Sequence, residues 1–221
     1  MSTPKNRRRV WVLLGGFCLL TGLVLALCAA FSFRLPELVG RELTGEETAQ
    51  VVARNSPLTE YVYLSPNATF PRENPIEKIT VHHMAGDLSL EELGHSFGEW
   101  DRQASSNYAI DSAGRVALYV EEADQAWTSA SEENDSRAVT IEVANDQTGG
   151  DWHVSDASFE ALTALCTDIC RRNGIKELRF TGGPEGSLTT HRMLDPDTLC
   201  PGPYLQGRME ELAKAVNARL G

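Results

Sequence analysis

The sequence predicts an α/β domain, a single mixed β-sheet flanked by helices, preceded by one N-terminal transmembrane helix. Three observations carry that prediction. Short runs with the two-residue period of strands alternate with longer runs at helical spacing. A pair of strand-like runs joined by a tight turn sits in the middle of the alternation, which mixes antiparallel with parallel pairing. An uninterrupted apolar run fills residues 10–31.

The 221-residue chain opens with Lys5, Arg7, Arg8 and Arg9 and no acid among them. Residues 1–9 therefore read as a cytoplasmic basic tail. Residues 10–31 hold no charge and match the ~20 residues needed to cross a bilayer, so the rest of the chain is expected outside. A cleaved signal peptide is the alternative, with small residues near Ala26 to Ala30. The apolar stretch is long for that role. Leu27 also stands where lipid attachment at Cys28 wants a small residue. Residues 32–75 read as an extracytoplasmic tether. Within it 44–53 allows a short helix, Pro57, Pro66, Pro71 and Pro75 favour extended chain, and 61–64 has the character of a packing strand.

Residues 76–221 form the expected domain. Its first strand is 79–82. Ser89 and Glu92 make a capping box, followed by Leu90, Leu93, Phe97 and Trp100 at helical spacing. Segments 107–111 and 115–120 form a hairpin around Gly114. Val139, Ile141 and Val143 alternate with Thr140 and Glu142 in a further strand. A helix starts at Ser155, stacks Phe159, Leu162, Leu165, Cys166, Ile169 and Cys170, and stops at Asn173-Gly174. A short strand is expected at 178–180 and a last helix at 205–220, with Leu205, Met209, Leu212 and Val216 on one face.

The formal net charge is −11, and the basic residues at the N-terminus leave the remainder more acidic still. That excludes nucleic acid as a partner, because counterion release needs a basic surface. Of five cysteines, Cys18 and Cys28 fall in the apolar run. Cys166 and Cys170 are four apart on a helix, a spacing for core packing rather than a disulfide. Cys200 stands alone in a Pro/Gly loop.

Side-chain parity separates two adjacent histidines. Ile79 and Val81 face the core and take His83 with them; His82 shares the polar face with Thr80. By the same count Glu142 faces away from the core beside Thr140. If His82 and Glu142 share one sheet face, a groove forms with a base in it. His191 and Cys200 close the chemistry from a loop more than a hundred residues later. Two imidazoles and a thiolate suit zinc, and three protein ligands leave a position open for catalysis. His95 and His153 read as surface residues.

Several segments together resemble one family. They are Ile79-Thr80-Val81-His82-His83-Met84-Ala85-Gly86, Ser105-Ser106-Asn107-Tyr108 through Gly114-Arg115-Val116, Ala126-Trp127-Thr128-Ser129, the strand around Glu142, and His191 through Cys200-Pro201-Gly202-Pro203. Their order and spacing are similar to those of type 2 N-acetylmuramoyl-L-alanine amidases, zinc enzymes related to phage amidases and animal peptidoglycan recognition proteins. The resemblance runs from about Tyr61 to the C-terminus.

It implies zinc held by His82, His191 and Cys200, Glu142 as general base, and hydrolysis of bacterial peptidoglycan. It also implies Trp127 in the substrate groove, and Asn107 where many relatives carry histidine. Thr198 departs from the pattern: many members have a basic residue there, thought to meet the charge on the scissile carbonyl oxygen. A hydroxyl brings no charge, so zinc, Arg192 or another group must carry more of it. Two other readings stay open at this point. One is a non-catalytic peptidoglycan-binding module; the other is a peptidase with Cys200 as nucleophile.

Overall fold

The structure, a computed structural model, describes residues 39–221. The apolar run 10–31 and the basic tail lie outside the described residues. Among the described residues no helix is long and apolar enough to cross a membrane.

Nine strands and six helices follow one another: β1 (Arg41–Glu42), α1 (Gly45–Arg54), β2 (Thr59–Leu64), β3 (Ala68–Thr69), β4 (Lys78–His83), α2 (Leu90–Gly98), β5 (Tyr108–Ile110), β6 (Val116–Leu118), β7 (Gln125–Ala126), α3 (Glu132–Asp135), β8 (Ala138–Val143), α4 (Asp156–Asn173), β9 (Leu188–Thr190), α5 (His191–Leu194) and α6 (Gly202–Leu220). A single 3-10 turn, Trp100–Arg102, follows α2. Seven strands form one sheet in the order β1-β2-β6-β5-β8-β4-β9, and β3 pairs with β7 apart from it. The β5–β6 hairpin is antiparallel, while β8, β4 and β9 run parallel.

The helix starts follow their capping chemistry. Ser89 and Glu92 exchange hydrogen bonds at the start of α2, with the Ser89 amide donating to Glu92 at 2.9 Å. Ser155 caps α4, and Gly174 ends it in the left-handed conformation at φ 70°. Helices α4 and α6 bury Leu162, Leu165, Ile169, Leu205, Met209 and Leu212 against Ile79, Val81, Val139, Ile141 and Val143. Helix α2 buries Leu90, Leu93 and Phe97 on Ala109, Ala117 and Tyr119 of the other face. Cys166 and Cys170 are free and buried in the α4 core.

Three expectations need correction. The described part of the segment read as a tether, from residue 39, belongs to the folded domain: the helix allowed at 44–53 forms as α1, and the packing strand at 61–64 is β2, paired with β6 inside the main sheet. Its prolines lie between these elements, so they punctuate folded chain rather than extend a linker. The strand expected at 178–180 is only a bridge from Phe180 to Leu188, and the strand beside β4 is β9. Thirdly, Thr80 and Thr140 are fully buried rather than lining an open face. Thr80 Oγ1 shares a hydrogen bond with Thr189 at 2.9 Å and accepts one from Asn134 at 2.9 Å. The polar row is thus a satisfied internal network that opens to solvent only at the strand ends.

Glu122 ties the early segment to the core. Its carboxylate accepts from Tyr108 Oη at 2.7 Å, from both Arg172 terminal nitrogens at 2.9 and 2.6 Å, and from Asn173 at 2.9 Å. Its backbone N–H donates to Asn55 at 2.8 Å, just beyond α1. Removing one partner of a buried charged group strands the other. Glu122→Gln is expected to destabilise the domain by about 3 kcal/mol in urea unfolding followed by circular dichroism. A loss under about 1 kcal/mol would show that water replaces the carboxylate.

Candidate active site

Parallel pairing sets the site. β4 and β8 align His82 with Glu142, in the same register that aligns Thr80 with Thr140. β9 aligns Thr190 with Val81, so His191, the next residue, arrives beside His82. The two imidazole rings stand 4.9 Å apart between centroids. All three groups lie at the carboxyl ends of parallel strands, where loops diverge and leave a crevice.

Cys200 is brought in by a short loop clipped at both ends. The Arg192 amide donates to the Cys200 carbonyl at 3.0 Å, and the Asp195 amide to the His191 carbonyl at 2.9 Å. Cys200 Sγ then lies 3.5 Å from His82 Nδ1 and accepts from the His83 amide at 3.4 Å. One ligand atom from each of His82, His191 and Cys200 falls within 4.8 Å of the other two.

The residue chemistry fits a metal ion. His82 Nε2 is buried with no hydrogen-bond partner, and so is Glu142 Oε2. Buried polar atoms are rarely left so. Burial holds His82 well below the ordinary imidazole range, and lowers His191 too, so both are neutral as ligands must be. Burial, then the charge of Glu142, pushes the Cys200 thiol up. A nucleophilic cysteine needs the opposite shift, which counts against the peptidase reading. Burial pushes Glu142 up to about 8, with Arg102 pulling the other way.

These groups open into a cleft of about 520 Å³, also lined by His83, which was expected to face the core, and by Ala85, Phe97, Arg102, Ala104, Ser105, Thr128, Trp152, Asp197, Thr198 and Leu199. Thr198 is therefore in place; its Oγ1 accepts from the Cys200 amide at 3.2 Å, leaving its own proton to donate. Arg192 is exposed and is not among the lining residues.

Two expected contacts are elsewhere. Asn107 is fully buried: its amide group donates to the Val120 carbonyl at 3.1 Å and its Oδ1 accepts from the Thr140 amide at 3.1 Å. An amide committed to two backbone segments is a strut, not a substrate contact. Trp127 donates from Nε1 to Thr69 at 3.0 Å and meets Trp100 edge-on at 5.9 Å, packing on its neighbouring loops outside the cleft lining. His95 is exposed, and His153 pairs with Asp146 at 2.6 Å.

The tryptophan in the cleft lining is instead Trp152, from the loop between β8 and α4. Its φ of 57° lies in the left-handed region, a costly place for a bulky residue. The Asn145 side chain donates to its carbonyl at 2.8 Å, and its ring meets His83 edge-on at 5.2 Å. Gly202, at φ 82°, leaves room for it; a Cβ there would lie 2.9 Å from Trp152 Cβ. Backbone strain at such a place points to function. In the sequence Trp152 stands in the run Gly149-Gly150-Asp151-Trp152-His153, where two glycines mark an irregular loop. Arg102 has no comparable signal, because it sits in an irregular turn.

A family model described as N-acetylmuramoyl-L-alanine amidase matches residues 72–203. No curated protein matches the chain. Among solved structures, the chain is similar to the Staphylococcus aureus hydrolase AmiA in complex with its ligand, with a TM-score of 0.56 and 15% identity over 85% of this chain and 95% of that one. It is similar to AmpD at a TM-score of 0.53 and 16% identity, covering 69% and 93%. PlyL aligns with a TM-score of 0.50 at 15% identity, covering 76% and 91%. At such identities the likeness is one of fold.

Because metal binding must displace the Cys200 proton, affinity should follow pH. Divalent-metal affinity, measured by competition with a chromophoric chelator, is expected to rise about tenfold per pH unit between about pH 7 and 8.5. A flat profile would mean that Cys200 is not a ligand.

Proposed function

This chain belongs to the N-acetylmuramoyl-L-alanine amidase family, and from that premise we propose that it hydrolyses, with zinc, the amide between N-acetylmuramic acid and L-alanine in bacterial peptidoglycan. The observation that carries the reading is the convergence of His82, His191 and Cys200 beside Glu142 in one cleft. His82, His191 and Cys200 would hold the ion. When bound, zinc supplies a Lewis acid that polarises an amide carbonyl and acidifies water.

The chain's own groups do the rest. Glu142 takes a proton as a water oxygen bonds to the carbonyl carbon, and the carbonyl π pair moves onto its oxygen. The same carboxyl returns the proton to the amine nitrogen as the C–N bond breaks. A carboxyl raised by burial is matched to giving that proton back near neutral pH. Thr198 presents a hydroxyl to the same space. The presence of both Cys200 and Glu142 favours an enzyme over a binding module, which needs neither.

Residues 10–31 would hold the enzyme in the bacterial cell membrane, with the catalytic domain on the outer face. The support is the charge-free length of the run and the basic cluster before it. Membrane sedimentation of the full chain, reversed only by detergent, is the expected fractionation result. A shortened protein free in the medium would instead establish signal cleavage.

Glu142→Gln is expected to bind zinc as the wild type does and to lose at least about 100-fold in turnover of purified peptidoglycan. Full activity in that variant would remove Glu142 from the reaction.

A further inference from the structure

The reaction develops negative charge on a carbonyl oxygen, and the cleft must hold donors for it. Among the lining residues Thr198 offers a neutral hydroxyl, and Arg102 is the one arginine or lysine. Arg102 lines the same cleft as Glu142, His82, His191 and Cys200.

The turn that carries Arg102 is fastened from several sides. Its amide donates to the Glu99 carbonyl at 3.0 Å. Trp100 packs edge-on against Trp127, which is itself tied to Thr69. Gln103 ends the turn at φ 48°, an uncommon conformation for that residue, and its side chain donates back to the Trp100 carbonyl at 2.8 Å. The chain then swings into Ala104 and Ser105, both in the cleft wall. Ser105 is locked by bonds to Asn67 and Trp127 at 2.6 and 3.1 Å. The scaffold is held; the Arg102 side chain makes no hydrogen bond or ion pair of its own among the described residues. A cation carried on a fixed turn in the cleft wall, with its donors uncommitted, is available to charge that appears only during reaction.

We propose that Arg102 is a catalytic residue that stabilises the oxyanion of the amide-hydrolysis transition state, supplying from the turn after α2 the cation absent at Thr198. This rests on the amidase reading above. In the water-attack step Arg102 exchanges no proton; it meets the electron pair displaced onto the carbonyl oxygen.

The test is steady-state kinetics of the zinc-loaded chain and its R102A and R102K variants on a soluble muramoyl-peptide, with zinc content and melting temperature measured in parallel. R102A is expected to lower kcat about 100-fold with KM changed less than about threefold, at unchanged zinc content and melting temperature. R102K should recover part of the loss, because it keeps the charge but not the planar fork. A raised KM at unchanged kcat would make Arg102 a ground-state binding group and overturn the assignment. Equal kinetics in all three proteins would also overturn it. A wild-type chain that holds zinc but turns nothing over would overturn the amidase reading itself, and this role with it.

Discussion

Strands β4, β8 and β9 share one register, and His82, Glu142 and His191 hang on it. His82 lies opposite Glu142, and His191 leaves the end of β9 at the same height. Strand side chains alternate, so a slip of one residue would turn His82 away from the cleft and into the α4–α6 core. The slip is opposed from both faces. Ile79, Val81, Val139 and Ile141 would lose their packing on α4 and α6, and Thr80 its bonds to Thr189 and Asn134. The apolar face supplies the stability; the buried threonine row makes the alignment specific.

The same construction explains why the site is charged with chemistry yet dry at its base. His82 and Glu142 sit at the end of a fully buried polar row, so both lose most of their hydration. Neutral imidazoles, a thiol that gives up its proton only to a strong partner, and a carboxyl near neutrality follow first from burial, helped at Cys200 by the charge of Glu142 and at His82 by the neighbouring histidines. Each of these states is costly for a free protein. One divalent cation held by His82, His191 and Cys200 would favour the neutral imidazoles and the deprotonated thiol together. Trp152 and Gly202 wall the approach, one strained and the other without a side chain so that the first fits.

What the sequence made legible divides along physical lines. Parity placed His82 and Glu142 on one sheet face, because alternation in a strand is a local rule, whereas His83, read as facing the core, lines the cleft beside Trp152. Capping chemistry marked the starts of α2 and α4 for the same reason. The joint motif spacing brought His191 and Cys200 to the site. Misreadings came where position depends on packing across the chain. The packing strand read at 61–64 was set within a tether because prolines surround it, and its pairing partner β6, more than fifty residues on, is what places it in the main sheet. Asn107 and Trp127 belong to segments that border the cleft, but their polar atoms are spent on Thr140, Val120 and Thr69. Arg102 and Trp152 reach the cleft from irregular turns with left-handed residues, which no periodicity announces.

The most direct measurement is the release of alanine amino termini from purified peptidoglycan by the soluble part of the chain, from residue 39 onward. It is run with the protein as purified, with chelator, and with zinc restored. New L-alanine ends that disappear with chelator and return with zinc are the result predicted for a zinc amidase built on His82, His191 and Cys200. Release that persists undiminished after complete removal of the metal would contradict it, and would leave Glu142 and the strand register without the ion they are arranged around.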